Sequence, residues 1–164
     1  MKRKLEPAYI AGFIDGEGCI MFSKQKNSHL RNTYHYVPRI IIGNTNKEIL
    51  EQIKEQYGGS IQSRKKQKGW KQGYVLDMCS RKVYNLAKDI KDFVRIKSEQ
   101  INLLLEIYDT GVIGDGYKYN RRRRNPKNGQ FESRLPTKDQ MSHYAVQEEY
   151  YLKFRELNKR GTTN

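Results

Sequence analysis

Between Pro7 and Ile14 apolar residues fall on almost every side of a helix, whereas the helical stretches further along carry one-sided stripes. Pro7 suits a first helical turn, and Gly16 and Gly18 are placed to end it. From Cys19 to Gln25 the pattern becomes two-fold: Ile20 and Phe22 share one side, and Met21, Ser23 and Gln25 the other. After a polar stretch, Tyr34 to Gly43 reads as the returning strand, with the β-branched run Arg39-Ile-Ile-Ile. Thr45-Asn-Lys-Glu48 then forms a capping box, followed by Ile49, Leu50, Ile53 and Tyr57 at helical spacing and the stop Gly58-Gly59. Ser60 to Lys66 and Trp70 to Ser80 flank a turn and predict a second hairpin. A helix from about Arg81 presents Val83, Leu86, Ala87 and Ile90, and another from Ser98 to Asp109 presents Ile101, Leu104, Leu105 and Tyr108. A second capping box, Thr137-Lys-Asp-Gln140, opens a last helix to about Asn158, docked by Met141, Tyr144, Ala145, Tyr151 and Leu152.

The order helix, two strands, helix, two strands, helices predicts an α+β fold. One four-stranded antiparallel sheet has helices on one face and leaves the other open. Three parts are expected: a core over 1–113, a segment over 114–136 poor in aliphatic residues, and the C-terminal helix over 137–164.

Charge changes this picture from a fold to a surface. The chain of 164 residues carries a net charge of +14, which calls for a polyanionic partner. Residues 18–80, the strand region, are basic, as is the run around Arg121, Arg122, Arg123 and Arg124; the helical segments are nearly neutral. An open basic sheet has the width to lie in the major groove of duplex DNA and read base edges. If Ile20 and Phe22 face the helices, then Met21, Ser23, Gln25 and Asn27 face the nucleic acid, with Arg39 and Ile41 on the second strand and Gln62, Arg64 and Lys66 on the third. Alternation fits either phase in the fourth strand, where Gln72 and Tyr74 are placed with them. The arginine run, accompanied by Tyr117, Tyr119 and Asn120, reads as a phosphate or minor-groove contact, against the plainer reading of a solvated linker.

Several classes drop out. The two cysteines, Cys19 and Cys79, lack a CxxC partner and are expected to be reduced, packed thiols; His29, His35 and His143 have no metal-ligand spacing, which excludes zinc-finger and His-Asn-His nuclease patterns. No apolar run approaches the ~18–20 residues of a membrane span, and MKRKLEP does not open a signal peptide, so a soluble intracellular protein is expected.

Against this basic background, Asp15 and Glu17 alternate with Gly16 and Gly18 at the end of the first helix. Either carboxylate could simply cap or pair with a neighbouring cation. Alternatively one is a ligand of a divalent metal, since Mg²⁺ takes one or two carboxylates with backbone carbonyls and phosphate oxygens. One carboxylate per chain is a thin site, and two copies meeting on a two-fold axis would make a fuller one. Ala8 and Gly12, one turn apart, allow another backbone to approach.

Ile10-Ala-Gly-Phe-Ile-Asp-Gly-Glu-Gly18 resembles the LAGLIDADG signature of homing endonucleases, and the order of elements over roughly residues 6–110 is similar to that family's αββαββα core, with its saddle-shaped sheet. The resemblance implies a homodimer in which two motif helices pack through Ala8, Ala11 and Gly12. It implies Mg²⁺, with Mn²⁺ able to substitute, held by Glu17 and the Gly16 carbonyl. Lys97 and Asn44 would complete the catalytic set around the attacking water and the leaving group. Here the acid is Glu where the family consensus has Asp. The activity implied is metal-dependent, site-specific double-strand cleavage of DNA at a long near-palindromic target, as in intron homing. The competing reading is a nucleic-acid-binding protein without cleavage, such as an intron RNA maturase, whose partner would be RNA, or a DNA-binding regulator. Glu17, Lys97 and Asn44 together favour the enzyme.

Overall fold

The computed structural model describes residues 4–26, 34–66, 68–113 and 138–159. Its elements follow the order α1 (Pro7–Glu17), β1 (Gly18–Lys26), β2 (Tyr34–Asn44), α2 (Lys47–Tyr57), β3 (Ser60–Ser63), β4 (Tyr74–Cys79), α3 (Arg81–Ile90), α4 (Ser98–Asp109) and α5 (Lys138–Leu157). The four strands form one sheet in the order β1-β2-β4-β3, antiparallel throughout. This is the α+β arrangement expected from the element pattern.

Register decides which face each residue occupies. Ile20 lies opposite Ile40, Phe22 opposite Pro38, Ile40 opposite Met78 and Ile42 opposite Leu76. All of these are buried, and the helices cover them. Into that layer α1 sends Ile10, Ala11 and Ile14; α2 sends Leu50 and Ile53; α3 sends Val83, Leu86, Ala87 and Ile90; and α4 sends Ile101, Leu104 and Ile107. Burying one such Leu or Ile side chain contributes roughly 1.5–3 kcal/mol, so this layer is what holds the helices to the sheet.

Gly59 shows how closely that packing runs at the α2–β3 corner. Its φ is +115°, and a Cβ there would come within 2.7 Å of the Met78 side chain, so glycine alone suits both the turn and the contact.

The cap of α2 differs from expectation by one residue. Asn46, not Thr45, is the N-cap, and its Oδ1 accepts from the amides of Glu48 at 3.0 Å and Ile49 at 3.4 Å. Asn caps at least as well as Thr, and the capping-box pattern alone does not choose between neighbours. Asn46→Ala is therefore expected to lower stability by about 1 kcal/mol in urea unfolding, while Thr45→Ala stays within about 0.5 kcal/mol.

The last helix lies on its own chain, against β1, β2 and α4. Among its described side chains Gln147, Tyr150 and Phe154 are buried, not the expected set: Met141, Ala145 and Leu152 are exposed, and Tyr144 and Tyr151 are half-buried. Polar atoms explain why a purely apolar periodicity misses this face. Gln147 Nε2 donates to the Val112 carbonyl at 3.2 Å, and the Tyr150 hydroxyl donates to Glu106 Oε1 at 2.8 Å. The Phe154 ring packs 6.2 Å from that of Phe22, itself 5.6 Å from Tyr36. At one end of β1, Lys24 Nζ pairs with Glu148 Oε2 at 2.6 Å, and the Tyr36 hydroxyl donates to the same carboxylate oxygen. Towards the other end, Asn158 Nδ2 donates to the Ile20 carbonyl at 2.9 Å. The opening residue Thr137 and the arginine run Arg121–Arg124 lie outside the described residues.

Candidate functional site

Three segments converge where α1 ends. Its final turn carries Asp15, Gly16 and Glu17, and the chain then enters β1 at Gly18. Asp15 turns back toward the connector before α4. Its Oδ2 accepts from the Arg95 amide at 2.8 Å and its Oδ1 from the Lys97 amide at 3.0 Å. Partial burial alone would raise the carboxyl's pKa; the amides of Arg95, Lys97 and Ile96, with the charge of Lys97, outweigh it and hold the pKa below the ordinary carboxylate value. The Lys97 ammonium reaches the other way, donating to the Ile14 carbonyl at 3.0 Å and to the Asp15 carbonyl. The Ile14 carbonyl also accepts from the Gly18 amide, whereas that of Asp15 belongs to the last turn, whose carbonyls lack intrahelical partners; a cation there also suits the helix dipole.

Asp15 is thus committed to structure, whereas Glu17, two residues on, is exposed. It lines a cavity of about 440 Å³ with Gly43 and Asn44 from the end of β2, and Arg64, Trp70 and Tyr74 from the second hairpin. Thr45, Lys65, Lys71 and Gly73 complete the lining. Asn44 is fixed there because its Oδ1 accepts from the Asn46 amide at 2.8 Å. The structure therefore brings Glu17 and Asn44 to one cavity. Lys97 is not among its lining residues; its ammonium sits on the carbonyls of the helix that delivers Glu17.

Among the described residues no group of three or more His, Cys, Asp or Glu side chains could hold a metal. What a single chain offers is the Glu17 carboxylate and the backbone of Gly16, beside which nothing lies within 4 Å of where a Cβ would sit. These are oxygen donors, the chemistry that suits a hard divalent cation, and they leave room for donors from elsewhere.

On the open face of the sheet, Met21 lies opposite Arg39 and Cys19 opposite Ile41, with Ser23 and Gln25 in phase. Across β2, Arg39 faces Cys79 and Ile41 faces Asp77; across β4, Gln62 faces Val75. The placements of Met21, Ser23, Gln25, Arg39, Ile41 and Gln62 on this side therefore agree with the strand phases. Arg64 continues it, its amide bonded to the Gly73 carbonyl at 2.9 Å, and its guanidinium lies over Gly43. A Cβ on Gly43 would stand 2.9 Å from Arg64 Nη2, so glycine is what lets the arginine lie there. Lys66 is exposed beyond the end of β3. Arg39 is also paired: its Nε donates to Asp77 Oδ1 at 3.2 Å and a second arm reaches Oδ2.

Four expectations are corrected. Tyr74 pairs with Asn44 in the phase of Leu76 and Ile42, so it belongs to the helix-covered side, and Val75 and Asp77 take the open one. Gln72 precedes β4, its amide donating to the carbonyls of Arg64 at 2.7 Å and Gly73 at 2.9 Å, so it braces the hairpin. Ala11 is 0% exposed within its own chain and cannot serve a seam between copies, while Ala8 and Gly12 are exposed. Cys19 and Cys79 are free but exposed rather than packed. Asn27 lies outside the described residues.

Sequence reasoning had not singled out Trp70, Lys65 or Lys71 for the cavity, nor Asp77 as the partner of Arg39. The signal for the first three was a tryptophan among lysines at a glycine turn, which a strand reading of Trp70 onward hid. Asp77 could not be placed without the phase of β4.

Comparison with known proteins follows the same lines. The family model described as LAGLIDADG endonuclease matches residues 10–102. Among solved structures, the homing endonuclease I-CvuI in complex with its target superposes with a TM-score of 0.64 at 17% identity, covering 96% of this chain and 85% of that one. The archaeal intron-encoded homing endonuclease I-Vdi141I, complexed with DNA, gives 0.65 at 20% identity over 94% and 85% of the two chains. The group I intron-encoded homing endonuclease I-CeuI, also complexed with DNA, gives 0.53 at 17% identity over 68% and 60%. No curated protein matches by sequence.

Proposed function

The chain belongs to the LAGLIDADG endonuclease family, and we propose that it is a site-specific double-strand DNA endonuclease that acts as a homodimer with divalent metal at a long near-palindromic target. One observation carries the reading: an exposed carboxylate at the end of an apolar helix, Glu17, shares a cavity with Asn44 and with the cations Arg64, Lys65 and Lys71. A scissile phosphate would find counter-charge and an acid in one place.

Glu17 and the Gly16 carbonyl from each of two copies would hold Mg²⁺, or Mn²⁺ in its place. When bound, the metal supplies Lewis-acid neutralisation of phosphate charge and a water of lowered pKa. Asn44 would orient water at the cavity wall through its amide, its Oδ1 being held by the Asn46 amide. Lys97 would act as a positioning residue, fixing the end of α1 and adding positive potential behind Glu17. Met21, Ser23, Gln25, Ile41, Gln62, Arg64 and Lys66 would face the DNA, with Asn27 and Arg121–Arg124 extending that contact.

Pairing of two copies would use the side of α1 that its own chain leaves open. Ala8, Gly12 and Gly16 are exposed there, and Tyr9, 53% exposed, stacks on Phe13 at 6.3 Å. This helix is apolar nearly all round, yet only Ile10, Ala11 and Ile14 are buried by its own chain. The remainder suits a like helix at close approach. No described helix is long and apolar enough to cross a membrane; an intracellular location and carriage by an intron or similar element belong to the same proposal.

The test is cleavage of a plasmid library of near-palindromic sites with Mg²⁺ and with EDTA. Metal-dependent linear product with a defined cut supports the endonuclease. Retention of DNA or RNA binding with no metal-dependent cutting would transfer the chain to the non-cleaving, maturase-like reading.

A further inference from the structure

The chain has a single tryptophan, and it is spent on the surface: Trp70 is 70% exposed. A lone exposed apolar side chain is ordinary, but the surroundings of this one are not. The indole follows Gly69, whose φ of +83° makes the turn, and it lines the same cavity as Glu17, Asn44, Arg64, Lys65 and Lys71. Lys65 and Lys71 are themselves exposed. The cavity thus combines two aromatic residues, the exposed Trp70 and the half-buried Tyr74, with three cations and one carboxylate, and its volume of about 440 Å³ lies in the roughly 300–1,000 Å³ range of sites for small ligands.

We propose that this cavity is a nucleotide slot, in which Trp70 stacks on one unpaired or unstacked base of the bound strand while Arg64, Lys65 and Lys71 hold the adjoining phosphates. The inference rests on the nucleic-acid reading above and adds to it a specific, sequence-tolerant contact beside Glu17. Aromatic planes flanked by cations hold single strands in this way, because every base has a face to stack and every nucleotide a phosphate. The Gln72 side-chain amide, donating to the Arg64 and Gly73 carbonyls, braces the hairpin that presents the indole. An unpaired base enters such a slot without the cost of leaving a duplex.

Intrinsic fluorescence then reports on this one residue. The full chain is titrated, in EDTA to prevent cutting, with a 12-residue oligodeoxythymidylate and separately with a 24-base-pair duplex, binding being followed in parallel by gel shift. Expected results are quenching of the indole on oligodeoxythymidylate binding, roughly 10-fold weaker binding of that strand by Trp70→Ala, and near-complete rescue by Trp70→Phe. Binding of the oligonucleotide with unchanged emission, or equal affinity for Trp70→Ala, overturns the slot and leaves the endonuclease reading standing. Binding of the duplex without binding of the oligonucleotide likewise overturns the slot alone, and absence of binding to both nucleic acids overturns both readings.

Discussion

Replacing Glu17 by Gln is expected to reduce DNA cleavage by about 10³-fold while leaving binding affinity within a few-fold. The substitution keeps the shape of the side chain and removes the one charged oxygen donor that each chain offers at the cavity. Metal-supplied charge stabilisation is worth several kcal/mol of barrier, and each 1.36 kcal/mol is tenfold in rate. Binding should survive because Glu17 is exposed and its loss removes a negative charge from a basic face. Single-turnover cleavage in Mg²⁺, set beside gel-shift affinity in EDTA, separates the two quantities. Cutting at the parental rate would remove Glu17 from the reaction; parallel loss of binding and cutting would make it a folding or docking residue.

The other large effect falls on the neighbouring carboxylate. Asp15→Ala leaves the amides of Arg95 and Lys97 without their acceptor. Each bond to a charged group is worth roughly 1.5–3 kcal/mol, and because the site is partly exposed the expected loss at neutral pH is about 2 kcal/mol in urea unfolding. The sign of its pH dependence is fixed by the direction of the shift. Asp15 has a folded-state pKa below its usual 3.8. Its stabilisation is therefore fully present above 3.8 and is lost as pH falls through the lower folded value. The gap between the parental chain and Asp15→Ala should be constant from pH 5 to 8 and close in stronger acid. A gap that instead closed near neutrality would contradict the bonding described here.

These two carboxylates, two residues apart, show what could be read from the chain and what could not. The helix that bears them was legible, because Pro7 begins it, an apolar run fills it and glycines end it. So was the open side of β1, since Met21, Ser23 and Gln25 alternate with buried Ile20 and Phe22. The assignment of Glu17 to a cavity and Asp15 to a connector was not. It depends on Arg95 and Lys97, some eighty residues away, whose approach is a tertiary fact. β4 failed for a different reason: Tyr74, Val75, Leu76 and Asp77 offer an apolar residue in either phase, and only pairing with β2 selects one. On α5 the hidden face is built from Gln147 and two aromatic residues, one of them a tyrosine. Hydrogen bonds to Val112 and Glu106 satisfy their polar groups, so periodicity of apolar residues pointed elsewhere.

The pairing of Arg39 with Asp77 bears on how the open face would share its labour. Opposite charges cancel near the middle of the sheet, while Lys65, Lys66, Lys68 and Lys71 are exposed along the second hairpin's turn. A duplex laid on this face would be gripped at its margin by charge that salt weakens and that ignores sequence. At the centre it would meet a fixed pattern of donors and acceptors, which gains little from a phosphate and can only be matched by base edges. Raising ionic strength would then loosen the margin before it touched the centre, so that the complex becomes weaker and more selective together.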